Sequence, residues 1–193
     1  MKSLTLLCIA AVTLFFQGCA SGPGGNEGMR ASVSASDITA LSQRALDSLY
    51  SKNAKARRLG PGAASIVVFP EVIKAGYMGG GLFGYGNLFQ NGKPTDEYFS
   101  IGAVSYGLQA GFQKFGLALM LMDGEAVTKL HRSGGWNLGS APHIVIFNKG
   151  IARSLSIQTL QKGTYAFFFD QKGLMAGLGI EGSKVTRIYP TRP

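Results

Sequence analysis

The chain has 193 residues, with 19 Lys and Arg against 10 Asp and Glu, so its formal charge is +9; 46% of it is hydrophobic and only 15% charged. This balance excludes intrinsic disorder, which needs low hydrophobicity and dense charge. The 28 glycines lack the three-residue period of a collagen-like helix, two cysteines cannot build a disulfide scaffold, and the length fits one domain with accessory segments.

The chain opens as an export address. Met1-Lys2-Ser3 is a short basic start, and Leu4 to Phe16 is almost unbroken apolar sequence. That run is shorter than the roughly 20 residues a membrane span needs and matches the apolar core of a secretory signal. Phe16-Gln17-Gly18-Cys19 follows directly. It resembles the bacterial lipobox, in which a small residue precedes a cysteine whose thiol takes up a diacylglycerol and becomes the mature N-terminus. The other reading of the same residues is ordinary secretion, with cleavage near Ala20 or Ser21 and a free Cys19. Lipidation at Cys19 is the favoured expectation, because this cysteine sits where the apolar run ends. Cleavage before it removes Lys2 and Cys8, which lowers the formal charge from +9 to +8 and leaves no second cysteine for a disulfide. Ala20, rather than Asp, at the next position favours the outer membrane over retention at the inner one.

Residues 19–35 are rich in Gly, Ser, Asn and Ala and offer little to bury, so they read as a flexible tether between leader (1–18) and domain (36–193). Ser36-Asp37 starts a helix whose apolar residues Ile38, Leu41, Ala45, Leu46, Leu49 and Tyr50 share one stripe. The stripe packs on a core or lies on a membrane; it lacks Trp and Phe, which favours packing. The pattern fades at Asn53, and Gly60-Pro61-Gly62 is a firm stop.

Strands are expected beyond Ala64. Ile66 to Phe69 is a short buried run closed by Pro70, and Leu82 to Phe89 leads into Asn91-Gly92, a tight hairpin turn. Tyr98 to Phe112 alternates as one strand, with Tyr98, Val104, Tyr106, Leu108 and Phe112 on one face. Gly116 is placed to bend the chain, and Leu117 to Met122, apolar on both faces, suits an interior strand. Asp123 caps a short helix through Leu130. His143 to Phe147 is a further buried strand. Tyr165 to Phe169, a turn at Asp170-Gln171-Lys172-Gly173, and Leu174 to Ile180 form a second hairpin. The fold class is therefore α+β: an N-terminal amphipathic helix, then a glycine-rich, mostly antiparallel, strongly curved or partly closed β-sheet with a short inserted helix. Some seven strands, several of them short, do not suit a membrane-spanning barrel.

Motifs for catalysis are weak. Gly79-Gly80-Gly81-Leu82-Phe83-Gly84 matches G-x-G-x-x-G, but it runs into a hairpin where a dinucleotide site needs a helix. Ser105 in Val104-Ser105-Tyr106-Gly107 lacks the strand-to-helix turn of a nucleophile elbow. His131 and His143 stand in no metal-ligand spacing, and Asp96-Glu97 reads as a solvated loop pair. Trp136 reads as a core or sheet-end plug. Neither an enzyme, nor a cofactor, nor a metal is expected. The basic residues are more informative: Lys52, Lys55, Arg57 and Arg58 cluster after the helix, where they complement its dipole or meet an anionic leaflet. Nucleic acid is no expected partner, since no binding motif accompanies the charge.

Val68-Phe69-Pro70-Glu71-Val72-Ile73-Lys74-Ala75-Gly76-Tyr77, followed by Gly79-Gly80-Gly81, closely resembles the opening signature of the SYLF (Ysc84) domain family. Ser105 to Gln113 is similar to its central glycine-glutamine strand, Leu119 to Met122 with Glu125-Ala126 to its next strand and helix, and Lys172 to Gly177 with Glu181-Gly182 to its terminal hairpin. The resemblance runs from about Ser36 to Tyr189 and implies a non-enzymatic lipid-binding module. Eukaryotic members bind phosphoinositides and some bind actin, but an exported lipoprotein meets no actin. Carried over by position, Lys74 is the motif lysine for phosphate contact. The expected protein is an outer-membrane lipoprotein facing the periplasm, with Lys74, Arg57, Arg58, Lys55 and Lys52 meeting anionic phospholipid. The alternative is an envelope-assembly protein that binds another protein or peptidoglycan and uses lipid only as anchor.

Overall fold

The computed structural model describes residues 33–77, 79–106, 111–138, 144–147, 163–174 and 182–191. Cys19, the leader, most of the tether and His143 lie outside them. Helix α1 (Ala35–Lys52) is capped by Ser34, whose hydroxyl accepts from the Asp37 N–H at 3.1 Å, satisfying one of the open donors of the first turn. Asn53 ends α1 and caps the next helix, α2 (Ala54–Leu59), so the basic cluster is itself helical. A 3-10 turn at Gly60–Gly62 then closes the helical segment.

Eight strands form a single sheet among the described residues: β1 (Ser65–Tyr77), β2 (Gly79–Gln90), β3 (Lys93–Tyr106), β4 (Gly111–Leu121), β5 (Trp136–Asn137), β6 (Ile144–Phe147), β7 (Thr164–Leu174) and β8 (Lys184–Ile188). Their order is β5-β8-β3-β2-β1-β4-β7-β6, and all neighbours run antiparallel except β6 and β7. Helix α3 (Gly124–Leu130) is inserted after β4, with the Asp123 carboxylate accepting from the Ala126 N–H at 2.8 Å. The α+β class, the N-terminal helix and the inserted helix agree with the sequence. Partial closure does not: the sheet is open, with β5 and β6 at its two ends.

The glycines serve close approach inside the sheet rather than closure. A Cβ at Gly86 would lie 2.5 Å from the Val68 carbonyl oxygen, and one at Gly84 2.7 Å from that of Glu71. Both carbonyls belong to an irregularity in β1. Its register shifts between Val68 and Glu71 against β2, and between Phe69 and Val72 against β4. Pro70 sits inside this bulge. A proline has no N–H for the ladder, so a central strand tolerates it only there. The short strand expected to stop at Pro70 therefore continues for seven residues, to Tyr77.

Two further elements differ from expectation. The hairpin at Asn91-Gly92 forms as read, with φ of 51° and 75°. The one expected at Asp170-Gln171-Lys172-Gly173 does not: β7 runs straight through it to Leu174, absorbing Asp170 at φ 49° as an irregularity in its pairing with β4. Likewise, Tyr98 to Phe112 is two strands, β3 ending at Tyr106 and β4 beginning at Gly111.

Each face of the sheet carries its own core. On one side Val67, Phe69, Val72, Phe99, Ile101, Leu117, Leu119 and Phe168 pack with Ala126 and Leu130 of α3 and with Trp136, which plugs the sheet end as expected. On the other side Leu46 and Leu49 of α1 pack on Ile66, Val68, Phe89, Met120 and Phe167. The helix stripe packs on the domain through Ile38, Leu46 and Leu49, while Leu41 stays exposed, and each fully buried Leu contributes about 1.5–3 kcal/mol. The buried Ser42 hydroxyl donates to the Val68 carbonyl at 3.1 Å, tying α1 to the bulge.

Replacing Gly86 by Ala is expected to cost about 1–3 kcal/mol, because the methyl group meets backbone that cannot move aside. Gly81→Ala, whose nearest neighbour would be the Ala103 carbonyl at 3.6 Å, is expected to stay within about 1 kcal/mol of the parent. Urea denaturation midpoints of the two variants check the contrast.

Candidate functional site

The sequence-selected cations occupy two places. Lys52, at the last turn of α1, and Lys55, Arg57 and Arg58, on α2, gather at one end of the helical layer. Arg57 and Arg58 are exposed, and Arg57 donates to the Tyr50 carbonyl at 3.2 Å. Lys74 is not with them. It lies far along β1, half-buried, beside Gln113 of β4 and Leu82 of β2. It shares a face with Val72 and therefore lies on the side away from α1.

A cleft of about 570 Å³ opens beside the basic end of α1, lined by Leu49, Lys52 and Asn53 from the helical layer and by Phe168, Phe169, Asp170, Gln171 and Lys172 from β7. Neither Lys74, Arg57 nor Arg58 lines it. Its walls are apolar at Leu49 and Phe169, and its mouth is charged. Lys52 Nζ lies 2.6 Å from Asp170 Oδ1, and the Ser48 hydroxyl donates to the other Asp170 oxygen at 2.9 Å. Lys52, first, then Ser48 and the nearby Lys172 hold the Asp170 carboxyl below its ordinary range against a partial burial that opposes them. The Asp170 bulge in β7 makes this pairing, 118 residues apart in sequence, and no local pattern announces it. A smaller cleft of about 310 Å³ near Tyr50 and Pro61 carries no charged side chain.

Glu97 is not the solvated loop residue that its place after Pro94 suggests. It is in β3, where its carboxylate meets His131 Nε2 at 2.6 Å and Arg187 at 3.3 Å. The second ring nitrogen of His131 lies 2.9 Å from the Val127 carbonyl, so this histidine joins the end of α3 to the sheet. The G-x-G-x-x-G match lies within β2 and opens no helix, and Ser105 lies within β3 with no turn at it. Among the described residues no group of three or more His, Cys, Asp and Glu side chains could hold a metal, and no helix is long and apolar enough to cross a membrane.

Asp123 is the better anchored carboxylate. The Gly163 N–H, at 2.7 Å, and the Ala126 N–H hold its pKa below the ordinary value, the former most strongly. Because its folded pKa is depressed, its stabilisation is present above the unfolded value near 4 and is lost as pH falls through the folded value. Asp123→Ala is expected to cost about 1 kcal/mol at neutral pH and less at pH below about 3. Asp170→Ala removes an exposed ion pair worth only about 0.2–1 kcal/mol. Denaturant titrations at the two pH values compare them.

Residues 102–188 match the family model Ysc84, described as "Las17-binding protein actin regulator". No curated protein matches the chain. The matched span begins inside β3 and ends with β8, so it includes β4, α3 and β7 and one wall of the charged cleft. The family is one of binding and regulatory domains rather than of enzymes, and is known for lipid- or actin-related binding. Residues 102–188 are thus similar to the Ysc84 (SYLF) domain family.

Proposed function

We propose that the protein is a lipoprotein, acylated at Cys19 and held at the periplasmic face of the outer membrane, whose Ysc84 domain binds anionic phospholipid without catalysing a reaction. The observation that carries this reading is the composition of the cleft between α1 and β7. Apolar walls from Leu49 and Phe169 meet two lysines, Lys52 and Lys172, at one opening. A head-group phosphate suits those cations, and the first methylenes below it suit the walls. Asp170 keeps Lys52 placed while the cleft is empty. A phosphate would compete for the same ammonium, and the pair is exposed, so the exchange costs little.

Lys55, Arg57 and Arg58 extend the positive surface past Asn53 at the rim. Cations near an anionic leaflet gain about 1 kcal/mol each, and the gain falls off over a Debye length of about 10 Å in moderate salt. Anchoring at Cys19 keeps the domain within that distance of its ligand. The family's actin-related binding does not transfer to an exported chain, so the membrane half of its behaviour is the part assigned here.

Co-sedimentation with vesicles tests the assignment, using the chain from residue 19 onward with Cys19→Ser. Anionic vesicles should recover more protein than neutral ones, and added salt should abolish the difference. Lys52→Glu with Lys172→Glu should weaken anionic binding about tenfold or more. Equal recovery on both vesicle types, indifferent to salt, rejects the head-group assignment. Capture of an envelope protein or of peptidoglycan by a chain with no vesicle affinity would give the surface to that partner instead.

A further inference from the structure

Helix α1 covers only part of its face of the sheet. Beyond the bulge at Pro70, the strands continue past the helix, and the side chains that point to its side are Ile73 and Tyr77 on β1, Phe83 on β2, Val104 on β3 and Phe112 on β4. The pairings place them together: Ile73 stands opposite Phe83, Ala75 opposite both Gly81 and Phe112, and Gly81 opposite Val104. All five are exposed, Tyr77 at 78%, Val104 at 77% and Phe112 at 54%. Scattered apolar residues on a surface need no explanation, but a contiguous group does. The row nearest α1 turns cationic along its length: Phe83 and Ile73 continue into Lys114, which also pairs with Glu71, and then into Lys172, while Tyr77, Val104 and Phe112 lie in the rows beyond it.

We propose that this end of the sheet is a membrane-docking surface, with the five side chains entering the apolar boundary of the leaflet that holds Cys19 and Lys114 and Lys172 meeting its head groups. This rests on the lipid reading above and extends it from one bound head group to the seating of the whole domain. Two observations favour a leaflet over another occupant. The order of chemistry along the face, with Tyr77, Val104 and Phe112 at the end and Lys114 and Lys172 joining Ile73 and Phe83 in the row nearer α1, matches the order from acyl boundary to phosphate in an anionic leaflet. The tether also reaches: 14 residues separate Cys19 from Ser34, enough for about 50 Å, while β1 with its 13 residues is about 43 Å long. An added strand has no place on β1, β2 or β4, which are interior strands paired on both sides along this strip.

The test uses the full chain, produced with its leader and reconstituted into anionic vesicles whose acyl chains carry bromine. Trp136 is buried and gives a constant background. One variant adds an indole at the strip, Val104→Trp; a control adds one on the opposite side of the sheet, Thr128→Trp on the exposed side of α3. Bromine should quench the Val104→Trp emission about twofold more than the control, as for side chains roughly 5–10 Å below the head groups. Equal quenching, in protein that floats with the vesicles and carries the acylated mass, overturns the docking surface and leaves the anchor standing. Protein that neither floats nor carries the added mass overturns the lipid reading, and the docking surface with it. Sedimentation of the same chain in detergent supplies the remaining outcome. A parent dimer that Val104→Asp with Phe112→Asp converts to monomer would assign the strip to a second copy and overturn docking to lipid.

Discussion

The missing N–H of Pro70 organises this molecule. A proline in the most interior part of a sheet leaves one ladder position unmet, and β1 accommodates it with a bulge. The bulge does more than excuse the proline. Before it, odd-numbered residues of β1 point to the α3 side (Val67, Phe69); after it, even-numbered ones do (Val72). A side-chain period of two makes this inversion act on every residue that follows. Lys74 is thereby carried to the face away from α1, and Ile73 and Tyr77 to the face that α1 occupies. The carbonyls displaced at the bulge then dictate Gly84 and Gly86 across the strand pair and take the Ser42 hydroxyl from the helix.

A second irregularity, at Asp170 in β7, does for the cleft what the first does for the sheet. Between Lys114 and Gly116 the pairing of β4 with β7 shifts, and Asp170 takes up a positive φ. Its carboxylate is left at the rim, within reach of Lys52 and Ser48 on α1, while Phe168 and Phe169 stay in the two cores. A regular strand would pair straight through and offer no cleft. The charged opening and the uncovered strip thus share one side of the sheet because two strands break their register near its middle.

The sequence made several elements legible, each by a local signal. Asp123 carried capping chemistry, Ser36-Asp37 marked the start of α1 although its cap is Ser34, Asn91-Gly92 carried a turn, and the two-sided apolar run of β4 carried its interior place. What could not be read was set by partners far along the chain. Pro70 looked like a strand end because a proline usually is one; only the pairing on both sides of β1 makes it a bulge. Asp170-Gln171-Lys172-Gly173 had turn composition, yet β4 holds it in the sheet. Lys52 was visible as a cation, but Asp170, its partner, gave no hint in a stretch read as a hairpin tip. The lysine of the family signature and the basic cluster of the helices read as one site in sequence, and the inversion at Pro70 separates them to opposite faces.

That separation bears on how the domain meets lipid. A single flat contact cannot use Lys74 and the Lys52–Arg58 cluster at once, since the sheet stands between them. The side bearing α1 holds the cleft, Lys114 and Lys172, and the exposed apolar strip, so a single leaflet would meet all of them together. Lys74 faces the other way, half-buried beside Gln113, whose side-chain oxygen is buried without a hydrogen-bond partner among the described residues. The match to the Ysc84 family begins at residue 102, after this segment, and what the structure shows of the segment itself is the bulge that Pro70 and the glycines build.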